Sequence, residues 1–261
     1  MPLTARYEDA NMAGRLGLPA SIRACLFDLD GVLTQTASTH AAAWKETFDD
    51  YLRNTAARTG GLFVPFDIVR DYHDYVDGKT RNDGVRSFLE SRGIHLPEGL
   101  EDDAPERETI SGLGNRKNER VLAVMRRDGV DAFPDAMEYV RAVRDVGLLR
   151  AVVSGSTHCA EALEAAGFAD LFGVQVDGCV SAREGLRGKP APDTFVAAAQ
   201  SLGVAPDNAA VFEDALAGIA AGRAGGFGYV VGVDRTGDGA SLRLEGANIV
   251  VRDLTQLMER R

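Results

Sequence analysis

Short apolar runs that alternate with helical patterns constrain the fold of this chain more than any other feature. Each run is five to seven residues long and ends in a polar or glycine residue: Ile22–Asp28, Leu149–Ser154, Ala209–Glu213, Gly228–Gly232 and Asn248–Arg252. Apolar residues at helical spacing fill the intervals, as in Asp135–Val146, Cys159–Ala166 and Thr194–Leu202. Strands that alternate with helices predict a parallel sheet covered on both faces, an α/β fold.

The interval between the first two runs breaks this rhythm. It is more than a hundred residues long, whereas one βαβ unit needs about 30 or more. Its segments carry helical spacing and are separated by glycine and proline breaks: His40–Arg58, Arg81–Arg92 and Pro105–Arg127. We therefore predict a helical cap domain over 37–132, inserted into a Rossmann-like parallel-sheet core formed by 21–36 and 133–261. Residues 1–20 form an N-terminal extension to which we assign no function.

Charge and cysteine content limit the possible partners. Thirty-nine acidic against 29 basic residues give a net charge of -10, which disfavours binding to nucleic acid. The three cysteines, Cys25, Cys159 and Cys179, form neither a CxxC pair nor a zinc-binding spacing. We expect them to be small core residues of a protein in the reducing cytoplasm. No apolar run approaches the roughly 20 residues of a membrane span. The sequence predicts a cytoplasmic monomer that binds neither nucleic acid nor a membrane.

Two carboxylates follow the first apolar run, in Asp28-Leu29-Asp30-Gly31. In an extended segment, residues i and i+2 project to the same side. The carboxyl end of a parallel strand is also where open α/β sheets bind their ligands. An Asp-rich turn with Gly31 at the bend is the alternative interpretation.

Three later strand ends also carry polar residues. Ser154-Gly155-Ser156 could hold a phosphate through hydroxyl and backbone N–H groups, although such a sequence is also common in plain turns. Lys189 stands in a proline-rich loop before a helix, where a solvated lysine is the alternative. Glu213-Asp214 suits a hard cation such as Mg²⁺, but Asp214 could instead cap the next helix.

The order of these groups indicates one reaction. A carboxylate that attacks phosphorus meets an anionic phosphoryl group, so a metal ion and a lysine are needed to offset the repulsion. Asp28 is then the nucleophile. Asp30 protonates the leaving oxygen and later deprotonates the acceptor.

The four motifs, their order and the helical insert resemble the haloacid dehalogenase superfamily, and within it the β-phosphoglucomutase-like subgroup. The resemblance runs from about residue 21 to 235 and rests on DLDGV, GKPAPD and the segment that begins at Glu213. It implies Asp28 as nucleophile and Asp30 as acid/base, with Ser154, Gly155 and Lys189 as phosphate ligands. It also implies a Mg²⁺ site made by Asp28, the Asp30 carbonyl, Glu213 and Asp214.

The resemblance extends into the cap. His40 and Trp44 match an H-x-x-x-W-K run of the subgroup, although core packing also explains Trp44. Gly78 and Arg81 match a segment whose arginine holds the non-transferring phosphate of a bisphosphorylated sugar, and Lys117-Asn118 match a stretch that touches the sugar. Ser156 completes the implied substrate residues, which are His40, Trp44, Gly78, Arg81, Lys117, Asn118 and Ser156. Exposed basic turns and a solvated helix face are the alternatives for the basic segments.

Three functions remain open on the sequence. The first is a β-phosphoglucomutase that converts β-glucose 1-phosphate to glucose 6-phosphate, which Arg81 favours. The second is a sugar-phosphate phosphatase with the same core, in which water attacks the phosphorylated Asp28. A phosphoacceptor signalling domain is a remote third, because the cap and the adjacent Asp30 do not suit a long-lived phosphate.

Overall fold

The computed structural model describes residues 13–258, which divide into two compact units. The sheet unit comprises the described residues up to Gln35 and from Val130 onward, and the helical unit is Thr36–Gly129. Residues 1–12 of the predicted N-terminal extension lie outside the described residues. Residues 13–20 belong to the sheet unit, where Ala13, Leu16 and Leu18 are buried. The predicted domain boundaries themselves stay predictions.

The sheet unit contains one six-stranded parallel sheet in the order β3-β2-β1-β4-β5-β6. Its strands are β1 Ala24–Phe27, β2 Leu149–Val153, β3 Val174–Val176, β4 Ala209–Glu213, β5 Tyr229–Val233 and β6 Ile249–Val251. The predicted α/β class with a parallel sheet is confirmed. The sequence analysis missed β3, because this strand has three residues with a polar one, Gln175, at its centre.

The helical unit is built from three long helices and a short π-helical segment. The helices are α1 Ala37–Thr59, α2 Arg81–Ser91 and α3 Ile110–Asp128, and the π-helical segment is Tyr72–Val76. Their apolar faces share an aromatic core in which Phe48 lies 5.1 Å from Trp44 and 4.1 Å from Phe88 between ring centroids. The sequence analysis predicted the three helices but not the π-helical segment.

Helices cover both faces of the sheet, as the buried strands require. They are α4 Pro134–Asp145, α5 Cys159–Ala165, α6 Gly178–Glu184, α7 Asp193–Ser201, α8 Leu216–Ala224, α9 Gly239–Glu245 and α10 Thr255–Met258, with 3₁₀ turns at Ala169–Leu171 and Pro206–Asn208. Alternate residues of β1 point to opposite faces, so Leu26 packs in one apolar cluster while the Phe27 ring stacks on Phe212 at 4.4 Å.

Two of the three cysteines are buried as predicted. Cys25 and Cys159 are buried, as expected of small core residues, and burial raises the pKa of both thiols. The expectation was wrong for Cys179, which is exposed on the short helix α6. Within the described part of the chain, no helix combines the length and apolar character needed to cross a bilayer.

Candidate active site

The predicted catalytic motifs meet at one edge of the sheet. Strand β1 lies between β2 and β4, and Phe27 is level with Val152 on one side and Phe212 on the other. The chain runs from β1 through β2 to β3 and then returns to β4 on the other side of β1, so the strand order reverses beside β1. Open α/β sheets bind their ligands at such a switch point. Asp28 follows β1, Ser154 follows β2 and Glu213 ends β4, so their register brings the three side chains to the same end of neighbouring strands.

Lys189 lies in the loop between α6 and α7 and not at a strand end as predicted, but its side chain reaches these strand ends. Its ammonium donates hydrogen bonds to Asp28 Oδ1 and Glu213 Oε1, and a third to the Val153 carbonyl at 3.3 Å. The side chain is 3% exposed, and Nζ lies 4.9 Å from the centroid of the Phe195 ring. The interpretation of Lys189 as a solvated lysine is therefore wrong. The three N–H donors of its ammonium are matched by three acceptors.

The charges at this edge do not balance. Burial raises the pKa of the Asp28 carboxyl, Lys189 lowers it, and the Glu213 and Asp30 carboxylates raise it again, so that it lies well above its ordinary value. Burial alone would lower the pKa of Lys189, but the Asp28 and Glu213 carboxylates outweigh burial and raise it. One ammonium thus faces two buried carboxylates, and the site retains an excess of negative charge.

A third carboxylate completes a group that can hold a cation. One oxygen each of Asp28, Glu213 and Asp214 lies within 4.8 Å of the other two. This donor set fits a hard divalent cation, because carboxylate oxygens are the ligands that Mg²⁺ and Ca²⁺ take. A divalent cation would also offset the excess negative charge. The residues present therefore fit the metal that the resemblance implies.

The alternative role of Asp214 as a helix cap is wrong. Helix α8 begins at Leu216, its N-cap residue is Ala215, and no side chain caps it. The Ala215 N–H instead donates to Glu213 Oε2 at 3.0 Å. This hydrogen bond fixes the second oxygen of Glu213, while the first accepts from Lys189.

The turn after Asp28 requires glycine. Gly31 has φ of 90°, a conformation that L side chains rarely adopt, and its N–H donates to the Thr34 carbonyl at 2.8 Å. A Cβ on Gly31 would lie 1.8 Å from Asp214 Oδ2, so only glycine permits this close approach. Asp30 is half-buried on the same turn, and Asp28 is buried. The turn therefore places the predicted acid/base directly beside the carboxylate group.

The serine loop after β2 is built from side-chain to backbone hydrogen bonds. Ser154 Oγ accepts from the Ser156 N–H at 3.0 Å, and Ser156 Oγ accepts from the His158 N–H at 3.2 Å. Ser154 is buried, and a Cβ on Gly178 would lie 2.9 Å from the Gly155 carbonyl oxygen. The loop is thus packed closely against the start of α6. In these two bonds the serine oxygens act as acceptors, so neither bond uses a serine hydroxyl proton.

Three predicted substrate residues cluster within the helical unit. Lys117 Nζ of α3 lies 2.9 Å from His40 Nδ1 and 4.9 Å from the centroid of the Trp44 ring, both on α1. Trp44 is 4% exposed, so it packs in the core and also contacts the ammonium. Lys117 is buried, which contradicts the interpretation of this stretch as a solvated helix face at that residue.

Arg81 lies against the same helix. It is the first residue of α2, which Thr80 caps by accepting from the Asp83 N–H. A Cβ on Gly114 of α3 would lie 3.0 Å from Arg81 Cγ, so the absence of a side chain there accommodates the arginine stem. Gly114 is one helical turn before Lys117 and Asn118, which places all three on one side of α3. Gly78 has φ of 70° in the turn that precedes Arg81.

The sequence analysis missed Arg235 and Asp135. Arg235 follows β5, and its Nη2 lies 2.9 Å from Asp135 Oδ2. A polar residue after a strand was the signal used at the other strand ends, and the same signal was present at Arg235. Asp135 carries no such signal, since an acid in the first turn of a helix is common for reasons of helix stability.

Comparisons with known proteins identify the family of this chain. The family model "Hydrolase: haloacid dehalogenase-like hydrolase" matches residues 22–226. Beta-phosphoglucomutase of Mycobacterium bovis is 54% identical over 93% of this chain and 94% of its own length. Hexitol phosphatase A of Escherichia coli is 30% identical over 89% of this chain and 91% of its own. The crystal structure of beta-phosphoglucomutase from Clostridium difficile superposes with a TM-score of 0.68 at 26% identity, and covers 90% of this chain and 93% of that one.

The matched region includes every motif that forms the candidate site. It contains Asp28, Ser154, Lys189 and Glu213, together with the whole helical unit. The site, the fold and the similarity along nearly the full chain lead to the same conclusion. The chain is an enzyme that belongs to the haloacid dehalogenase-like hydrolase family.

Proposed function

We propose that this enzyme is a Mg²⁺-dependent β-phosphoglucomutase, which converts β-glucose 1-phosphate to glucose 6-phosphate through a bisphosphate. The observation that carries the proposed chemistry is the buried ammonium of Lys189, held between Asp28 and Glu213. This ammonium already offsets carboxylate charge beside Asp28. It is therefore placed to stabilise the negative charge of a phosphoryl group that binds next to Asp28. The 54% identity to a beta-phosphoglucomutase supports the choice of substrate.

Asp28 and Asp30 divide the reaction between them. A carboxylate oxygen of Asp28 forms a bond to phosphorus as the bond from phosphorus to the sugar oxygen breaks. Asp30 gives its proton to that leaving oxygen. In the reverse direction, Asp30 takes the proton of the accepting sugar hydroxyl while the phosphoryl group leaves Asp28. The same pair therefore serves both transfers of a mutase cycle.

Other groups of the sheet unit offset the phosphate charge. Lys189, the Ser154 hydroxyl and backbone N–H groups of the Gly155 turn are the proposed phosphate ligands. Mg²⁺ held by Asp28, Glu213, Asp214 and the Asp30 carbonyl would supply further positive charge for the phosphoryl oxygens when bound. A small phosphorylated sugar is the proposed substrate. That the enzyme is monomeric and located in the cytoplasm remains a prediction.

The proposed function is tested by following two products at once. The purified enzyme is supplied with β-glucose 1-phosphate, Mg²⁺ and a trace of the bisphosphate, while glucose 6-phosphate and free phosphate are measured together. We expect glucose 6-phosphate to accumulate with little free phosphate. Free phosphate released at the rate of substrate loss would instead establish the sugar-phosphate phosphatase.

Removal of divalent metal should stop turnover. The three carboxylates and the incoming phosphate bring like charges together, and Lys189 alone cannot offset them. We expect dialysis against EDTA to reduce activity to background and added Mg²⁺ to restore it. A rate untouched by chelation would refute the metal assignment of Glu213 and Asp214.

Arg81→Ala should separate the mutase from the phosphatase. A bisphosphate carries a second anion, and a guanidinium can grip it in a bidentate manner, whereas hydrolysis of a small phosphate ester has no such anion. We expect a large loss of glucose 6-phosphate formation and a much smaller change in the hydrolysis of a small ester. Arg81→Lys should recover part of the loss, because an ammonium lacks the planar fork.

An exposed arginine of the same unit provides the control for Arg81. Arg127 is paired with the adjacent Asp128 on the surface at the end of α3, and Arg127→Ala should leave both activities unchanged. Equal loss of both activities in Arg81→Ala would indicate a folding defect. Full activity toward β-glucose 1-phosphate would remove Arg81 from the substrate site and favour the phosphatase.

A further inference from the structure

Arg235 binds three separate segments of the sheet unit. Its guanidinium donates to the Gly31 carbonyl at 3.3 Å and the Val32 carbonyl at 3.4 Å. It also donates to Asp135 Oδ2 at 2.9 Å and to the Arg252 carbonyl at 2.9 Å. The side chain is 16% exposed. Four acceptors around one guanidinium use the planar fork of donors that only arginine has.

The first of these segments is the catalytic turn. Gly31 and Val32 directly follow Asp30, and Gly31 also lies against the Asp214 carboxylate. The turn is therefore in contact with both Asp214 and Arg235. Because glycine has wide backbone freedom, a turn that depends on Gly31 needs such external contacts to keep one conformation.

The other contacts fix Arg235 itself. Asp135 Oδ2 accepts from Arg235 and from the Leu254 N–H at 2.8 Å, and its side chain is 9% exposed. The Phe133 ring lies 3.9 Å from the guanidinium carbon, in a cation–π contact. Phe133 in turn donates its N–H to the Leu33 carbonyl, two residues beyond Gly31. The arginine is thus locked by a partly buried ion pair and an aromatic face.

We infer that Arg235 is a positioning residue that holds the Asp30–Gly31–Val32 turn, and through it the Asp30 carboxylate, in place for proton transfer. This inference rests on the proposed role of Asp30 as acid/base. Proton transfer needs heavy atoms within about 2.6–3.2 Å, and a misplacement of about 1 Å can lower a rate by about 10²-fold. Loss of the Arg235 contacts should therefore impair the step that Asp30 serves, while the phosphate ligands Ser154 and Lys189 stay in place.

The test compares leaving groups that do and do not need a proton. Release of the sugar oxygen from the bisphosphate requires the Asp30 proton, whereas p-nitrophenolate leaves without one. We expect Arg235→Ala to slow transfer from the bisphosphate about 10²-fold, with KM little changed. At saturating Mg²⁺, which compensates for any weakening of the proposed metal site, first-turnover release of p-nitrophenolate from p-nitrophenyl phosphate should stay within about threefold, since Arg235 donates to Gly31, Val32, Asp135 and Arg252 and not to Asp28 or the phosphate ligands. Asp30→Asn should show the same dependence on leaving group.

Further variants keep this test decisive. Arg235→Lys should recover part of the bisphosphate rate, and it replaces Arg235→Ala if the latter does not fold. Arg223→Ala is the matched control, because exposed Arg223 makes a 3.4 Å contact to the Glu245 carbonyl away from the turn. Suppose that Asp30→Asn slows transfer from the bisphosphate but not from p-nitrophenyl phosphate. The inference is then overturned if Arg235→Ala loses the same rate on both substrates, or loses rate on neither. An Asp30→Asn enzyme without selectivity would overturn the proposed role of Asp30, and the inference with it.

Discussion

Asp28→Asn should abolish turnover of β-glucose 1-phosphate while the protein stays folded. The amide matches the carboxylate in shape, but it cannot attack phosphorus to form the covalent intermediate. Lys189 keeps its ion pair with Glu213 and its hydrogen bond to the Val153 carbonyl. The variant should therefore retain the packing of this sheet edge without its nucleophile.

Stability separates loss of chemistry from loss of fold in this variant. Because burial raises the pKa of Asp28 in the absence of metal, the folded state disfavours its charge, and a neutral amide should not lower the free energy of unfolding. We expect an unfolding midpoint at or above that of the wild type when no metal is added. The measurement is thermal unfolding together with a coupled assay for glucose 6-phosphate.

A surface aspartate gives the control, and phosphate labelling gives a second readout. Asp145 is exposed and paired with the adjacent Arg144, so Asp145→Asn should behave as the wild type. Wild-type enzyme should acquire a phosphoryl group from the bisphosphate, detectable by intact mass, and Asp28→Asn should not. A near wild-type rate in Asp28→Asn would exclude an aspartyl-phosphate mechanism at this residue.

The sequence was sufficient to predict the sheet edge because strand ends leave a periodic signal. Buried runs of apolar residues followed by Asp28, Ser154 or Glu213 indicate the position of these residues without any knowledge of long-range contacts. In a parallel sheet, the carboxyl ends meet at one edge, so order along the chain translates into proximity. That register brings Asp28 and Glu213 together, whereas Lys189 reaches both carboxylates from the loop between α6 and α7.

Features that depend on contacts distant in sequence were not predictable in the same way. Strand β3 has too few residues for an alternating pattern, and its pairing with β2 defines it. Asp214 had two interpretations of similar weight until the structure placed the N-cap at Ala215. Likewise, the packing of Arg235 on Phe133 joins residues about a hundred positions apart, and neither residue carries a local signal of the contact.

In the helical unit, Trp44 is a residue whose burial can be predicted from the sequence but whose contact with a distant residue cannot. The helical spacing of α1 predicts a buried Trp44, and packing alone accounts for that burial. The ammonium of Lys117 over its ring comes from a different helix and has no counterpart in the pattern of α1. Trp44 therefore both packs in the aromatic core and contacts a charged group. The helical periodicity of the sequence predicts the packing but not the contact with Lys117.

Lys189→Met should both inactivate and destabilise the enzyme. The substitution leaves the carboxylates of Asp28 and Glu213 buried beside each other without a cation. Removal of one partner from a buried ion pair typically lowers the free energy of unfolding by about 3–5 kcal/mol. The measurement is urea unfolding in the absence of divalent metal, with the wild type in parallel.

Two comparisons identify charge as the cause of this loss. Glu213→Gln in the Lys189→Met background removes one of the two carboxylates, so it should recover much of the stability but none of the activity. Lys45→Met breaks a partly exposed pair with Asp49 and should lower stability by only about 0–1 kcal/mol.

Mg²⁺ provides the last test of the same charge balance. Asp28, Glu213 and Asp214 lie within reach of one cation, so bound metal offsets the charge that Lys189 no longer does. Added Mg²⁺ should therefore raise the unfolding midpoint of Lys189→Met more than that of the wild type. Without Lys189, however, the phosphate still lacks one of its proposed ligands, so metal should restore stability without turnover. An equal response of both proteins to Mg²⁺ would mean that the lysine and the carboxylates do not share one charge balance.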